Sequence, residues 1–271
     1  MANYKQLETM VPTSMDEDTN ESGKRIKAVK TAFAIVETLY ELEGAGVSQV
    51  ATELGLAKST AHAHLQTLAE AGYIIREGDQ YHVGLRFMEL GEYAKSRKKV
   101  YTISRRIVAQ LAEKTQERSQ FIVEEHGWGV YVHRELGEHA IQTDPGIGQR
   151  IPLHCTAAGK AILAEFPRER VEQIIERQGL EAVTENTITG REALYEELET
   201  IRERGYAFNM EENVLGLHAI GVGVKRGDGT ICGALSVSGP SHRLTGDVLR
   251  EEIPGLLLGT SNELELNLMH S

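Results

Sequence analysis

Cysteine is nearly missing from this chain, with Cys155 and Cys232 the only two among 271 residues. Two thiols make no disulfide framework by count, which sets aside a small stapled secreted fold and points to a reducing cytoplasm. No apolar run approaches the length of a membrane span, and the N-terminus has no signal-peptide layout, so no membrane partner is expected. A basic excess is absent too, since the formal net charge is −11. On the global scale that weighs mildly against nucleic acid, although the charge that counts is local to the docking element. An acidic balance of this size suits a high-salt cytoplasm and a plain acidic regulator equally. The length fits two modest domains with cores of their own.

The most informative stretch runs from Val47 to Gly72. Val50, Ala51 and Leu54 recur at helical spacing behind Ser48, a candidate cap. Gly55 supplies a left-handed corner, and a second helix follows with Ala61, Leu65 and Leu68 on one stripe. Its other face offers Ser59, Thr60, His62, His64 and Gln66, with Lys58 at its start. Two short helices joined through a glycine corner form the helix-turn-helix that lays its second helix in the DNA major groove. Ordinary helical bundles use the same spacing, and the stretch alone leaves both readings open.

Residues 1–23 are polar, acidic towards their end and without sustained period, which reads as a disordered tail. Lys24, Arg25, Lys27 and Lys30 then open a helix expected to bury Val29, Ala32, Phe33, Val36, Leu39 and Leu42. This basic run is either a phosphate contact beside the groove or a solvated helix start. After Gly72, two β-rich runs around Gly78-Asp79 predict a hairpin. Directly behind the second helix such a hairpin is a wing, from which Arg76 or His82 reaches backbone or minor groove. Leu85 to Lys99 is expected to be one amphipathic helix, too apolar for a flexible linker, that packs on its counterpart in a second subunit.

From Tyr101 a second domain is expected. A helix carrying Ile103, Ile107 and Leu111 leads to strands Ser119–Glu124 and Gly129–Arg134, then a strand around Ala140–Thr143 and a glycine-rich loop. Thr156 is a plausible N-cap, and Ala157, Ala158 and Gly159 form an almost bare first turn. Bare amides at a helix start suit a small anion, while Lys160 opposes the dipole unless a negative partner sits nearby. The alternative is that small residues let this helix pack tightly on a sheet. Thr189 to Glu192 has capping-box spacing for a helix that Gly205 closes. On the last strand, Ile231, Leu235 and Val237 are expected on one face, and Cys232, Ala234, Ser236 and Ser238 on the other. The small, partly polar face suits a ligand pocket or a closely packed helix. Thr245 starts a last helical region that Pro254-Gly255 should kink.

His154-Cys155 is the one pair that suggests nucleophilic catalysis. Neighbours on an extended segment point to opposite faces, so an enzyme using Cys155 is disfavoured and no cofactor is implied. His126, His133, His139, His154, Cys155 and Cys232 share this domain but fall at no recognised metal-ligand spacing.

Val47–Tyr73, Pro152–Ala161 and the run from Gly205 through Glu211-Glu212 to Pro240, in this order, make the chain resemble the IclR family of transcription regulators. The resemblance covers Lys24 to the C-terminus. It implies an α+β protein, with a winged helix-turn-helix over 24–84, a linker helix over 85–100 and a GAF-like effector-binding domain with a central antiparallel sheet over 101–271. It further implies a dimer, and in places a tetramer, on a palindromic double-stranded DNA operator, controlled by a small organic acid or sugar-derived metabolite. The positions matching the family's pocket are Ala157, Ala158, Asn209, Ala219, Ser236 and Ser238, with Gly159 beside them. Where some relatives carry an acid near Asn209 and a cysteine near Ala219, this chain has an amide and a methyl, which implies a different ligand. An oligomeric DNA-binding regulator with no effector is the competing reading.

Overall fold

The computed structural model describes residues 26–140 and 146–270, and these divide into two compact units at Ser96/Arg97. The basic pair Lys24 and Arg25, the tail before it and positions 141–143 of the expected extra strand lie outside the described residues.

In the first unit, α1 (Lys27–Glu41), α2 (Val47–Glu53) and α3 (Lys58–Glu70) precede a hairpin of β1 (Ile74–Glu77) and β2 (Gln80–Val83). Ile35, Leu39, Val50, Ala51, Ala61, Leu65, Ile74 and Tyr81 form its core. Gly78 takes the left-handed conformation (φ +62°) that a two-residue hairpin turn needs. Gly55 does so at the helix corner (φ +60°), with the Leu56 amide returning to the Ala51 carbonyl at 2.8 Å. Ala45 and Tyr81 exchange backbone hydrogen bonds of 2.9 and 3.0 Å, tying the α1–α2 connection to the wing.

Two expectations fail here. Val29 and Phe33 are half exposed or more, because α1 turns only the Ile35–Leu39 side inward. Ser48 is not the cap either: Gly46 occupies that position, and Ser48 lies within the first turn of α2. The long helix expected over 85–99 is interrupted, α4 (Arg86–Ser96) ending two residues before α5 (Lys99–Thr115) starts. No residue of α4 is buried, and Leu85, Met88 and Tyr93 are each exposed by 65% or more.

The second unit is built on a six-stranded antiparallel sheet of order β5-β4-β3-β8-β7-β6. Its strands are β3 (Arg118–Glu125), β4 (Trp128–Leu136), β5 (Arg150–Ile151), β6 (Ala207–Met210), β7 (Leu217–Lys225) and β8 (Ile231–Pro240). The apolar face carries Phe121, Val222, Leu235 and Val237 and packs on α5 and on α9 (Ile253–Met269). The opposite face is covered by α6 (Ala157–Ala164), behind which lie α7 (Arg168–Gln178) and α8 (Arg191–Arg204). Ala140 follows the end of β4 as irregular chain, and the short β5 was not foreseen.

Four details of the sequence reading need correction. Ile231 packs with the α6 side and Cys232 with the apolar side, the reverse of the expectation. The cause is a bulge: Val224 pairs with Gly233 but Lys225 with Ile231, so one extra residue inverts the alternation at the strand start. Helix α8 starts from Gly190 with no side-chain cap, so the Thr189–Glu192 box does not form. Pro254 opens α9 instead of kinking it, since a proline in the first turn sacrifices no helical hydrogen bond. The last helical region starts at Val248, with a single π-helical turn over Val248–Glu252.

Candidate functional sites

The DNA-facing candidates of the first unit gather on α3 and the wing. Ala61 and Leu65 anchor α3 in the core, so Ser59, His62 and Gln66 point the opposite way, and all three are exposed. His64 lies on the flank and is half-buried. Ala57 caps α3 without a side-chain hydrogen bond, which leaves the first-turn amides of Lys58, Ser59 and Thr60 open to an acceptor. Helix starts of this kind favour phosphate. Arg76 is exposed on the wing, where its Nε donates to the Gly78 carbonyl at 2.9 Å. His82 instead packs its ring on Gly44, where a side chain would collide with it, and belongs to the wing's support. Lys27 is exposed at the start of α1, and Ser48 at the start of α2.

In the second unit the effector candidates meet on the α6 side of the sheet. Arg118 pairs with Ser238 and Gln120 with Ser236 across β3 and β8, and Ala219 faces Ser238 across β7. The side chains follow this register. Arg118 Nε donates to Ser238 Oγ at 2.9 Å, and Gln120 Nε2 donates to Ser236 Oγ at 3.2 Å and to Ser238 Oγ at 3.3 Å. All four residues are at least 96% buried. Such polar groups on a buried sheet face cost free energy unless something satisfies them.

Helix α6 stands over this face. Thr156 caps it as expected, its Oγ1 accepting from the Gly159 amide at 3.2 Å. That bond already occupies the Gly159 N–H. The small residues are also demanded by packing: a Cβ on Gly159 would lie 2.2 Å from the Leu153 carbonyl, and one on Gly221 2.5 Å from the Ala157 backbone. Gly221 is the β7 partner of Ser236, so Ala157 and Ala158 sit over the strand next to the serines.

Lys160 finds the negative partners its helix position requires. It is 1% exposed, with Nζ 2.6 Å from Glu212 Oε1 and 3.4 Å from Glu197 Oε1, and Arg204 holds Glu197 from the other side at 3.0 Å. Burial pushes the Glu212 carboxyl up and the Lys160 ammonium opposes it. These residues, with Phe208 and His218, border an open groove of about 560 Å³ along the β6 edge.

Asn209 is committed elsewhere than expected. Its Oδ1 accepts from the Glu212 amide at 2.8 Å and its Nδ2 donates to Asn213 Oδ1 at 2.6 Å, so both ends of the amide hold the loop after β6. Thr184 and Thr187 donate from outside to the Glu212 carbonyl, at 3.1 and 2.6 Å.

Arg118, Gln120, Glu197 and Glu212 were missed by sequence reasoning. A signal for the first two was present: in Arg118-Ser-Gln-Phe-Ile-Val, a cation and an amide two residues apart share one face of an otherwise apolar strand. The carboxylates carried none, since their pairing with Lys160 spans 37 and 52 positions.

Cys155 is fully buried and its thiol is pushed up to about 12 by burial and by Glu212. His154 directs Nε2 to the Glu181 carbonyl at 3.0 Å, which leaves no nucleophile–base pair. Among the described residues no three His, Cys, Asp or Glu side chains gather to hold a metal ion, and no helix is long and apolar enough to cross a membrane.

Comparison with known proteins matches residues 28–78 to the IclR helix-turn-helix domain and 93–265 to the C-terminal domain of bacterial IclR transcriptional regulators. The chain is 31% identical over 260 residues to the probable HTH-type transcriptional regulator ArcR of Halobacterium salinarum, covering 94% of this chain and 99% of that protein. The IclR structure of Thermotoga maritima superposes with a TM-score of 0.75 at 28% identity, covering 90% of this chain and 99% of that one. An IclR homologue of Microbacterium hydrocarbonoxydans, solved with 4-hydroxybenzoate, has the same fold at 23% identity (TM-score 0.74, 90% and 100% covered).

Proposed function

The chain belongs to the IclR family of transcription regulators, and from that premise we propose that it is a sequence-specific regulator of metabolic genes whose hold on its operator is set by a small, anionic metabolite in the second unit. The observation that carries the reading is the exposed face of α3. Ser59, His62 and Gln66 share it, and Lys58, Ser59 and Thr60 keep their amides open at its start. In this reading Ser59, Thr60, His62 and His64 read base edges or phosphates, while Lys24, Arg25, Lys27, Ser48, Lys58 and Arg76 hold the backbone. The exposed apolar side chains of α4 support association into a dimer on a palindromic site, with a tetramer through the second unit as its extension. Such a protein works in the cytoplasm.

The effector half of the reading is supported by the buried cluster of Arg118, Gln120, Ser236 and Ser238, with Ala157, Ala158 and Ala219 as small neighbours. Gly159 supports the helix start, and Asn209 acts by holding the loop behind it.

Selection of binding sites from random DNA with the full-length protein tests the reading. A two-fold symmetric site should emerge, bound by the Lys58→Ala variant with a salt slope smaller by about one. Failure to enrich any sequence over random DNA would sink it. A metabolite that binds the second unit and leaves operator affinity unchanged would remove the effector half alone.

A further inference from the structure

The polar cluster on the sheet has a directionality that the general effector reading does not use. Ser238 Oγ accepts from both Arg118 and Gln120, and Ser236 Oγ accepts from Gln120. With their oxygens occupied as acceptors, both serines have hydroxyl protons to give. Arg118 adds a charge that no accessible pH removes. Gln120 supplies the opposite polarity. Its Nε2 is engaged by the serines, but its Oε1 is buried without any hydrogen-bond partner, on a residue 97% buried. Native proteins keep few such orphans, and each calls for a group that satisfies it.

We propose that Arg118 and Gln120 fix the chemical class of the effector as a small carboxylate that also carries a hydrogen-bond donor, a hydroxyl or an amine. The inference rests on the effector reading above. The carboxylate takes the guanidinium together with the Ser236 and Ser238 hydroxyls, and the donor meets Gln120 Oε1. Arg118 and Gln120 are alternate residues of β3, so their side chains leave the same face roughly 7 Å apart. That spacing asks for a few carbon atoms between the ligand's acid and its donor. The other buried cation nearby does not serve this ligand, since Lys160 is matched by Glu212 and Glu197. Asn209 does not compete as a reading head, because its amide is tied to the 212–213 loop.

The test is titration calorimetry on the full-length protein with matched probes: 3-hydroxybutyrate, butyrate and 3-hydroxybutyramide, then 4-hydroxybenzoate, benzoate and 4-hydroxybenzamide. In at least one series the hydroxy acid should bind best, the plain acid next and the amide least. Arg118→Met should weaken the acids by about 10- to 100-fold and leave amide binding unchanged, with Arg118→Lys falling between. Gln120→Met should erase the preference for the hydroxy acid over the plain acid while the preference for acid over amide remains. Melting midpoints of the unliganded variants separate lost recognition from lost folding, and the wild-type ranking is informative by itself. Amides binding as tightly as acids would overturn the inference and leave the effector reading standing. No binding in either series would overturn both.

Discussion

His154 and Cys155 show how burial alone decides the chemistry of a side chain. The His154 ring is held below the ordinary histidine value of 6.5, first by desolvation, with the Glu181 carbonyl opposing. A depressed pKa means that the folded protein binds fewer protons than the unfolded chain. The stability this provides is present above pH 6.5 and is lost as pH falls through the lower folded value. The urea midpoint should therefore drop on acidification below pH 6.5, and drop less in His154→Gln. Equal slopes for both proteins would dismiss the effect. Cys155 is pushed the other way, to about 12, and so stays a thiol. Iodoacetamide should label it only after unfolding, and Cys155→Ala should keep DNA binding. Fast labelling of the native protein would revive a reactive role.

At the scale of elements, α6 is pinned at both ends. Thr156 closes its start, and Lys160 ties it through Glu212 to the loop that Asn209, Thr184 and Thr187 also hold. Breaking a buried pair strands the remaining charge. Lys160→Met should cost about 3–5 kcal/mol in urea unfolding, and Glu212→Leu added to it should recover much of the loss. A loss under 1 kcal/mol would mean that the pair is hydrated. The sequence allowed the condition to be stated, that Lys160 needs an acid, but not which acid. Local signals served well where the cause is local: the Gly78-Asp79 turn, the Gly55 corner and the Thr156 cap all lie within four residues of what they stabilise. They failed where tertiary packing decides. The bulge at Cys232 is set by how β7 meets β8, and the exposure of Val29 and Phe33 by which side of α1 meets its own core. Arg118 and Gln120 lay in plain view, yet their role depends on Ser236 and Ser238 more than a hundred residues away.

At the scale of the molecule, the DNA-binding unit and the effector unit each have their own core, and both obey one electrostatic balance. The open apolar side chains of α4 are more than a solitary soluble helix tolerates, and Met88→Glu should shift sedimentation from dimer towards monomer. A monomeric wild-type protein would refute the dimer. The net charge of −11 sets a second, opposed pair of effects. Self-repulsion among surface carboxylates is screened as the Debye length shrinks from about 10 Å at 0.1 M to about 3 Å at 1 M salt. The melting midpoint should therefore rise over that range in potassium chloride. Operator affinity should fall over the same range, because the α3 contacts displace counterions from DNA. The regulator then works where salt is high enough to relax its acidic surface and low enough to leave Lys58 and its neighbours a grip. A melting midpoint indifferent to salt would show that the acidic charges are already spaced beyond one another's reach. Affinity indifferent to salt would take the phosphate contacts out of the account of α3.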